Sequence, residues 1–222
     1  MSGYLGSKAA SGLFQNIIAM MPPHSTYVET HLGGGAIMKN KPPVANSIGI
    51  DLYQTALDDF ECDYPVELIN GCAHNFLQSY QFKGDEVVYV DPPYVGDTRT
   101  SNNKYVYEYS DSDHIELINI LKKLPCAVIL SGYPSSLYKE HLSDWNSFEL
   151  QAMTRGGVRT EKIWFNYDID RVCCATFAGK DFTDRQRIKR KAERWGNNYK
   201  KLPNGERLAI LAEIMKVEAA AL

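Results

Sequence analysis

Apolar residues in the first three quarters of the chain fall in short, dense runs, with more polar segments between them. Residues 27–32, 48–52, 66–72, 87–91 and 127–131 are each rich in Val, Ile or Leu with little alternation, as expected of strands buried on both faces of a parallel sheet. Segments 13–20, 53–60, 113–124 and 135–142 flank or separate these runs and predict helices. Alternating strands and helices imply an α/β domain with a mostly parallel sheet covered on both faces. Residues 148–153 and 162–167 read as an antiparallel edge hairpin, joined by the glycine-containing turn 154–159.

Beyond about residue 178 the strand signal ends. Ile188, Ala192 and Trp195 share a face at helical spacing, with Gly196 as a stop. Asn204 is placed to cap a second helix, whose Leu208, Leu211, Ala212 and Met215 form another apolar stripe. Both stripes read as packing surfaces. The expected organisation is a main domain over residues 1–178 and a helical extension over residues 179–222.

With 222 residues, 44% of them hydrophobic, the chain can bury one good-sized core. No run approaches the ~20 apolar residues of a membrane span, and the N-terminus lacks a charged-then-apolar leader, so a cytoplasmic protein is expected. Cys62, Cys72, Cys126, Cys173 and Cys174 lack paired C-x-x-C spacing and read as reduced thiols, with no metal site expected. The net charge is −3, but it is unevenly spread. Residues 180–201 hold nine Lys or Arg against three acids, giving +6 there and −9 elsewhere. Such asymmetry fits a phosphate-gripping surface, or equally a solvated helix face. The candidates within it are Arg187, Lys189, Arg190 and Lys191.

The strongest chemical signal is Asp91-Pro92-Pro93-Tyr94, directly after the apolar run Val87-Val88-Tyr89-Val90. Two prolines fix φ and remove two backbone donors, so carbonyls at this corner are free of a sheet ladder and can face a ligand. The carboxylate can accept an N–H, and the tyrosine can stack on a flat ring.

This tetrapeptide resembles the catalytic motif of amino-methyltransferases. Tyr4-Leu5-Gly6-Ser7-Lys8 looks like the N-terminal cofactor motif of the Dam-like, D12 class DNA adenine N6-methyltransferases. Tyr27-Val28-Glu29-Thr30-His31-Leu32-Gly33-Gly34-Gly35 is similar to their glycine-rich motif, and Ile48-Gly49-Ile50-Asp51 follows it. The motifs stand in that family's order, over roughly residues 4 to 167. The resemblance implies a Rossmann-like methyltransferase sheet and S-adenosylmethionine as cofactor. It implies contacts to the cofactor from Tyr4, Gly6, Lys8, Glu29, Gly33, Gly35 and Asp51, with Asp91, Pro92, Pro93 and Tyr94 catalytic. Asp51, at a strand end, can also accept ribose hydroxyls on general grounds.

Two departures from the family pattern stand out. Thr30-His31 replaces the usual Pro-Phe, adding a histidine expected to titrate near neutral pH. Cys72 stands where an Asp often binds the cofactor's adenine amine.

The expected reaction is direct methyl transfer to the exocyclic amine of a flipped adenine in DNA. Cytosine N4 methylation, an RNA substrate, or a non-catalytic nucleic-acid-binding relic of the fold are alternatives. The short interval from Asn75 to Val90 leaves no room for the family's usual recognition domain. Recognition is therefore expected from Arg99, Asn102 and Lys104 in the loop after the catalytic motif, and from Arg155 and Arg159 in the hairpin turn. The residues carry no signal for target sequence or oligomeric state.

Overall fold

The computed structural model describes residues 13–96, 107–154, 157–168 and 182–220. The chain divides into two compact units, Met1–Thr176 and Phe177–Leu222. In the first, α1 (Leu13–Ala19), β1 (Thr26–Glu29), α2 (Ala36–Asn40), β2 (Asn46–Asp51), α3 (Gln54–Asp58), β3 (Glu67–Asn70), α4 (Ala73–Ser79), β4 (Glu86–Val90), α5 (Asp111–Leu121), β5 (Ala127–Gly132) and α6 (Ser136–His141) precede a hairpin of β6 (Asn146–Thr154) and β7 (Gly157–Phe165). The seven strands form one sheet in the order β3-β2-β1-β4-β5-β7-β6. Strands β1 to β5 pair in parallel, and β7 runs antiparallel to both β5 and β6. The α/β sheet with an antiparallel edge hairpin is the one the apolar pattern predicts.

Burial explains why the central strands are so legible. Every residue of β1 and β4 is buried, whereas β3, at the sheet edge, keeps Glu67, Leu68 and Asn70 exposed. Val28, Ile50, Val88, Val90, Val128 and Leu130 form one core with Leu117, Ile118 and Leu121 of α5. Each such side chain contributes about 1.5–3 kcal/mol on leaving water. Order reverses between β1 and β4, which are neighbours although β2 and β3 intervene in sequence. The crevice at the carboxyl ends of these two strands is the topological switch point, where open α/β sheets bind ligands.

Several boundaries differ from expectation for local reasons. α5 begins two residues early because Ser110 and Asp113 form a capping box: Ser110 Oγ accepts from Asp113 N, and Asp113 Oδ2 accepts from Ser110 N at 2.7 Å. The two edge strands pair as far as Thr154↔Gly157, so most of the anticipated six-residue turn is strand.

The second unit contains α7 (Phe182–Lys200) and α8 (Asn204–Ala220). α7 continues through Gly196, which is therefore not the expected stop; a Cβ there would meet nothing within 4 Å, and the helix simply carries its conformational cost. Asn204 is the first residue of α8 rather than a cap before it, and its Oδ1 accepts from Arg207 Nη2 at 2.8 Å. Ala192, Trp195, Leu208, Leu211 and Ala212 are exposed on these helices, and Ile188 is half-buried.

Candidate active site

The corner after β4 is assembled from three neighbouring strands. Val90 of β4 is in register with Leu130 of β5, so Asp91 and Ser131 emerge side by side. Ser131 Oγ donates to Asp91 Oδ1 at 2.9 Å, and Tyr89 Oη lies 2.8 Å from Ser131 Oγ. Asp91 is half-buried rather than sealed in the core, whereas Pro92 is buried and Pro93 and Tyr94 are partly exposed. The antiparallel register Gly132↔Lys162 brings the start of β7 to the same end of the sheet. Glu161, 2% exposed, accepts from Tyr94 Oη at 3.5 Å. Tyr133 stacks on Tyr94, with ring centroids 4.0 Å apart and planes 15° from parallel, and the Arg159 guanidinium lies 5.8 Å from the centre of the Tyr133 ring. Ser131, Tyr133 and Glu161 were invisible to motif reasoning. Glu161 did carry a signal, being a lone acid on the strand face of Ile163 and Phe165.

Across the crevice, the glycine loop leaves β1. Gly33 and Gly35 adopt φ of 48° and 63°, a region that favours glycine. A Cβ on Gly35 would sit 2.3 Å from Phe60 Cε2, so this position is restricted by packing as well as by backbone angle. Asp51 holds the loop: its Oδ2 accepts from Gly33 N and its Oδ1 from Tyr53 N, both at 2.8 Å. Glu29 points beneath the loop. Its Oε2 accepts from Tyr27 Oη and from Met38 N, each at 3.0 Å, and burial raises its pKa to about 8, with the nearby Asp91 charge adding to the rise. Glu29 is thus largely protonated at neutral pH and shapes the loop from within.

His31 corrects an expectation. Burial, with His74 and His114 nearby, lowers its pKa to about 3, so the ring is neutral at physiological pH although its edge keeps some exposure. Its Nδ1 lies 2.9 Å from Thr30 Oγ1 and its Nε2 lies 3.0 Å from Tyr109 Oη. Tyr109 also stacks over His74 at 5.3 Å, with the planes 30° apart, and meets His114 edge-on. His74 Nδ1 lies 3.7 Å from Cys72 Sγ. Cys72 therefore belongs to an aromatic and imidazole wall built from the segments after β1 and β3, from α4 and α5, and from the segment before α5. Among the described residues no three His, Cys, Asp or Glu groups converge as a metal-binding set.

Tyr4, Gly6, Lys8, Arg99, Asn102, Lys104 and Arg155 lie outside the described residues, as do Cys173 and Cys174. Arg187, Lys189, Arg190 and Lys191 are exposed on α7, where Arg187 pairs with Asp184 at 2.8 Å.

Residues 63–155 match the D12 class N6 adenine-specific DNA methyltransferase family. The matched stretch runs from before β3 through the Asp91-Pro92-Pro93-Tyr94 corner to the end of β6. No curated protein matches the chain in sequence. Among solved structures, it is similar to a conserved hypothetical protein from Streptococcus pyogenes (12% identity, TM-score 0.47, covering 70% of this chain and 94% of that one). It is also similar to an rRNA methylase from Streptococcus thermophilus (14%, 0.44, 69% and 92%). A third is TrmK of M. capricolum, in complex with S-adenosyl-homocysteine (12%, 0.44, 93% and 95%).

Proposed function

We propose that this protein is an S-adenosylmethionine-dependent DNA methyltransferase acting on the N6 amine of adenine. The observation that carries the reading is the position of Asp91: a half-buried carboxylate at the carboxyl end of β4, at the switch point, inside the stretch that matches the D12 class.

The residues opposite the corner suit the cofactor. The positive-φ glycines leave the loop without Cβ atoms, Asp51 stands at the end of the adjacent strand, and the neutral His31 sets no positive charge against a sulfonium. Gly33, Gly35, Asp51 and His31 would hold the cofactor, together with Tyr4, Gly6 and Lys8 by family resemblance. When bound, S-adenosylmethionine supplies an electrophilic methyl group.

An exocyclic aromatic amine is a poor nucleophile because its lone pair is delocalised into the ring. Asp91 accepts one N–H and the Pro92 carbonyl the other, which draws the nitrogen towards tetrahedral geometry and localises the lone pair. The same two acceptors stabilise the positive charge that develops on nitrogen, and the proton of the methylated ammonium is lost afterwards. Tyr94 stacks on the base once it leaves the duplex, an extrusion that costs a few kcal/mol. Its ring plane is held by Tyr133 on one side and its hydroxyl by Glu161. Arg159, whose guanidinium lies beside the Tyr133 ring, stands as a base or phosphate contact, and Arg155, Arg99, Asn102 and Lys104 are further candidates from the sequence. The exposed cations of α7 supply sequence-independent grip.

Calorimetric titration with S-adenosylmethionine, followed by mapping of methylated bases in DNA from cells expressing the protein, tests the reading. Cofactor binding and N6-methyladenine support it. Absence of binding at millimolar cofactor, or N4-methylcytosine as the product, overturns it.

A further inference from the structure

We propose that Ser131, backed by the Tyr89 hydroxyl, is a positioning residue that fixes the plane of the Asp91 carboxylate for the methyl-acceptor amine. The inference rests on the reading above that Asp91 holds that amine. An ionised carboxylate only accepts hydrogen bonds, so the single Ser131 proton goes to Asp91 Oδ1 at 2.9 Å. Tyr89 must then donate into the serine oxygen across 2.8 Å, which orders the chain as Tyr89 to Ser131 to Asp91. Ser131 is 0% and Tyr89 1% exposed, so bulk water does not compete for either hydroxyl.

The surroundings make the serine conspicuous. It follows Val128, Ile129 and Leu130, all fully buried in β5, and a hydroxyl in such a strand is costly unless it is bonded. Its place is set by the parallel register of β4 and β5, which lays the residue after Leu130 beside the residue after Val90. The torsion about a carboxylate's last bond is intrinsically broad and nearly two-fold, so a hydrogen bond from a fixed donor narrows it. With Oδ1 tied to a rigid strand, the carboxylate plane is defined before substrate arrives, which is the preorganisation that hydrogen-bonding catalysis requires.

The test uses the full chain with Ser131→Ala, Ser131→Cys and Tyr89→Phe, read by steady-state kinetics on adenine-containing DNA. Ser131→Ala is expected to lower kcat about 10- to 100-fold, the usual size for a bond to a charged group, with KM for DNA and cofactor affinity within about twofold. Ser131→Cys, a similar shape with a weaker donor, falls between wild type and alanine. Tyr89→Phe loses about 3- to 10-fold, and adding it to Ser131→Ala causes little further loss, because one chain is broken only once.

Isotope-edited infrared spectra of carboxyl-labelled aspartate give a readout independent of turnover: the band that disappears in Asp91→Asn should move in Ser131→Ala and Tyr89→Phe. Variants at full kcat with an unmoved band overturn the proposal, as do fully additive losses. Should Ser131→Ala fail to fold, Tyr89→Phe alone decides by the same two readouts. A wild-type protein without methyl transfer, but with the band still moving, would sink the function and leave the hydrogen-bonded chain standing. An active wild type with fully active variants would sink the positioning role alone.

Discussion

The two sides of the crevice are built differently. On the catalytic side, Asp91 and Tyr94 are supported from outside by residues of β5 and β7, through Ser131, Tyr133 and Glu161. On the cofactor side, the acids first serve the backbone: Asp51 grips Gly33 N and Tyr53 N, and Glu29 grips Met38 N beneath the loop. Under the proposed function, the first arrangement would aim side chains at a ligand and the second would shape main chain around one. A substitution on the catalytic side should therefore cost rate or DNA binding, and one on the cofactor side should cost loop geometry and stability.

The sharpest way to break this division is Asp91→Ala. It should lower kcat by at least about 10²- to 10³-fold while S-adenosylmethionine affinity stays within a few-fold, measured by single-turnover kinetics and calorimetry. A joint loss of cofactor binding would merge the two sides. On the other side, Gly35→Ala should destabilise the fold by about 2–4 kcal/mol in denaturant titration, because φ of 63° is strained for alanine and its Cβ meets Phe60. Tyr94→Ala should raise KM for DNA about 10- to 100-fold, with Tyr94→Phe restoring most of it, since stacking carries the contact.

Glu29 gives a pH signature. Its folded pKa of about 8 lies above its ordinary value near 4.5, so the folded chain holds a proton that the unfolded chain releases across that window. Stability should fall as pH rises from about 4.5 to about 8, and Glu29→Gln should flatten that slope in thermal melts at stepped pH. The smallest effect concerns α7: neutralising Arg187, Lys189, Arg190 and Lys191 together should weaken DNA binding across sequences and flatten its salt dependence. Arg187 should contribute least, being already paired with Asp184.

Much of the fold was legible because doubly buried strands leave continuous apolar runs, which is why β1, β2, β4 and β5 fall within a residue or a few of expectation. α2 and α4 were not anticipated, whereas α1, α3 and α6, of similar length, were. In the extension, the helical spacing of Trp195, Leu208 and Leu211 matches two observed helices, α7 and α8. The Asp91 corner, the proposed site, stands out in the sequence because its two prolines are adjacent to the acid. Its supports do not, because Ser131 lies 40 residues from Asp91 and Glu161 lies 67 from Tyr94, and only strand register joins them. The contact of Tyr109 with His31 spans 78 residues. The neutral state of His31 likewise depends on burial, which residue type alone does not carry.

The most direct measurement is mass spectrometry of nucleosides from unmethylated DNA incubated with the purified protein and methyl-labelled S-adenosylmethionine, beside Asp91→Ala. Labelled N6-methyladenine with wild type and none with the variant is the expected result. Unlabelled adenine with both proteins, or equal labelling by the variant, would contradict a reaction centred on Asp91.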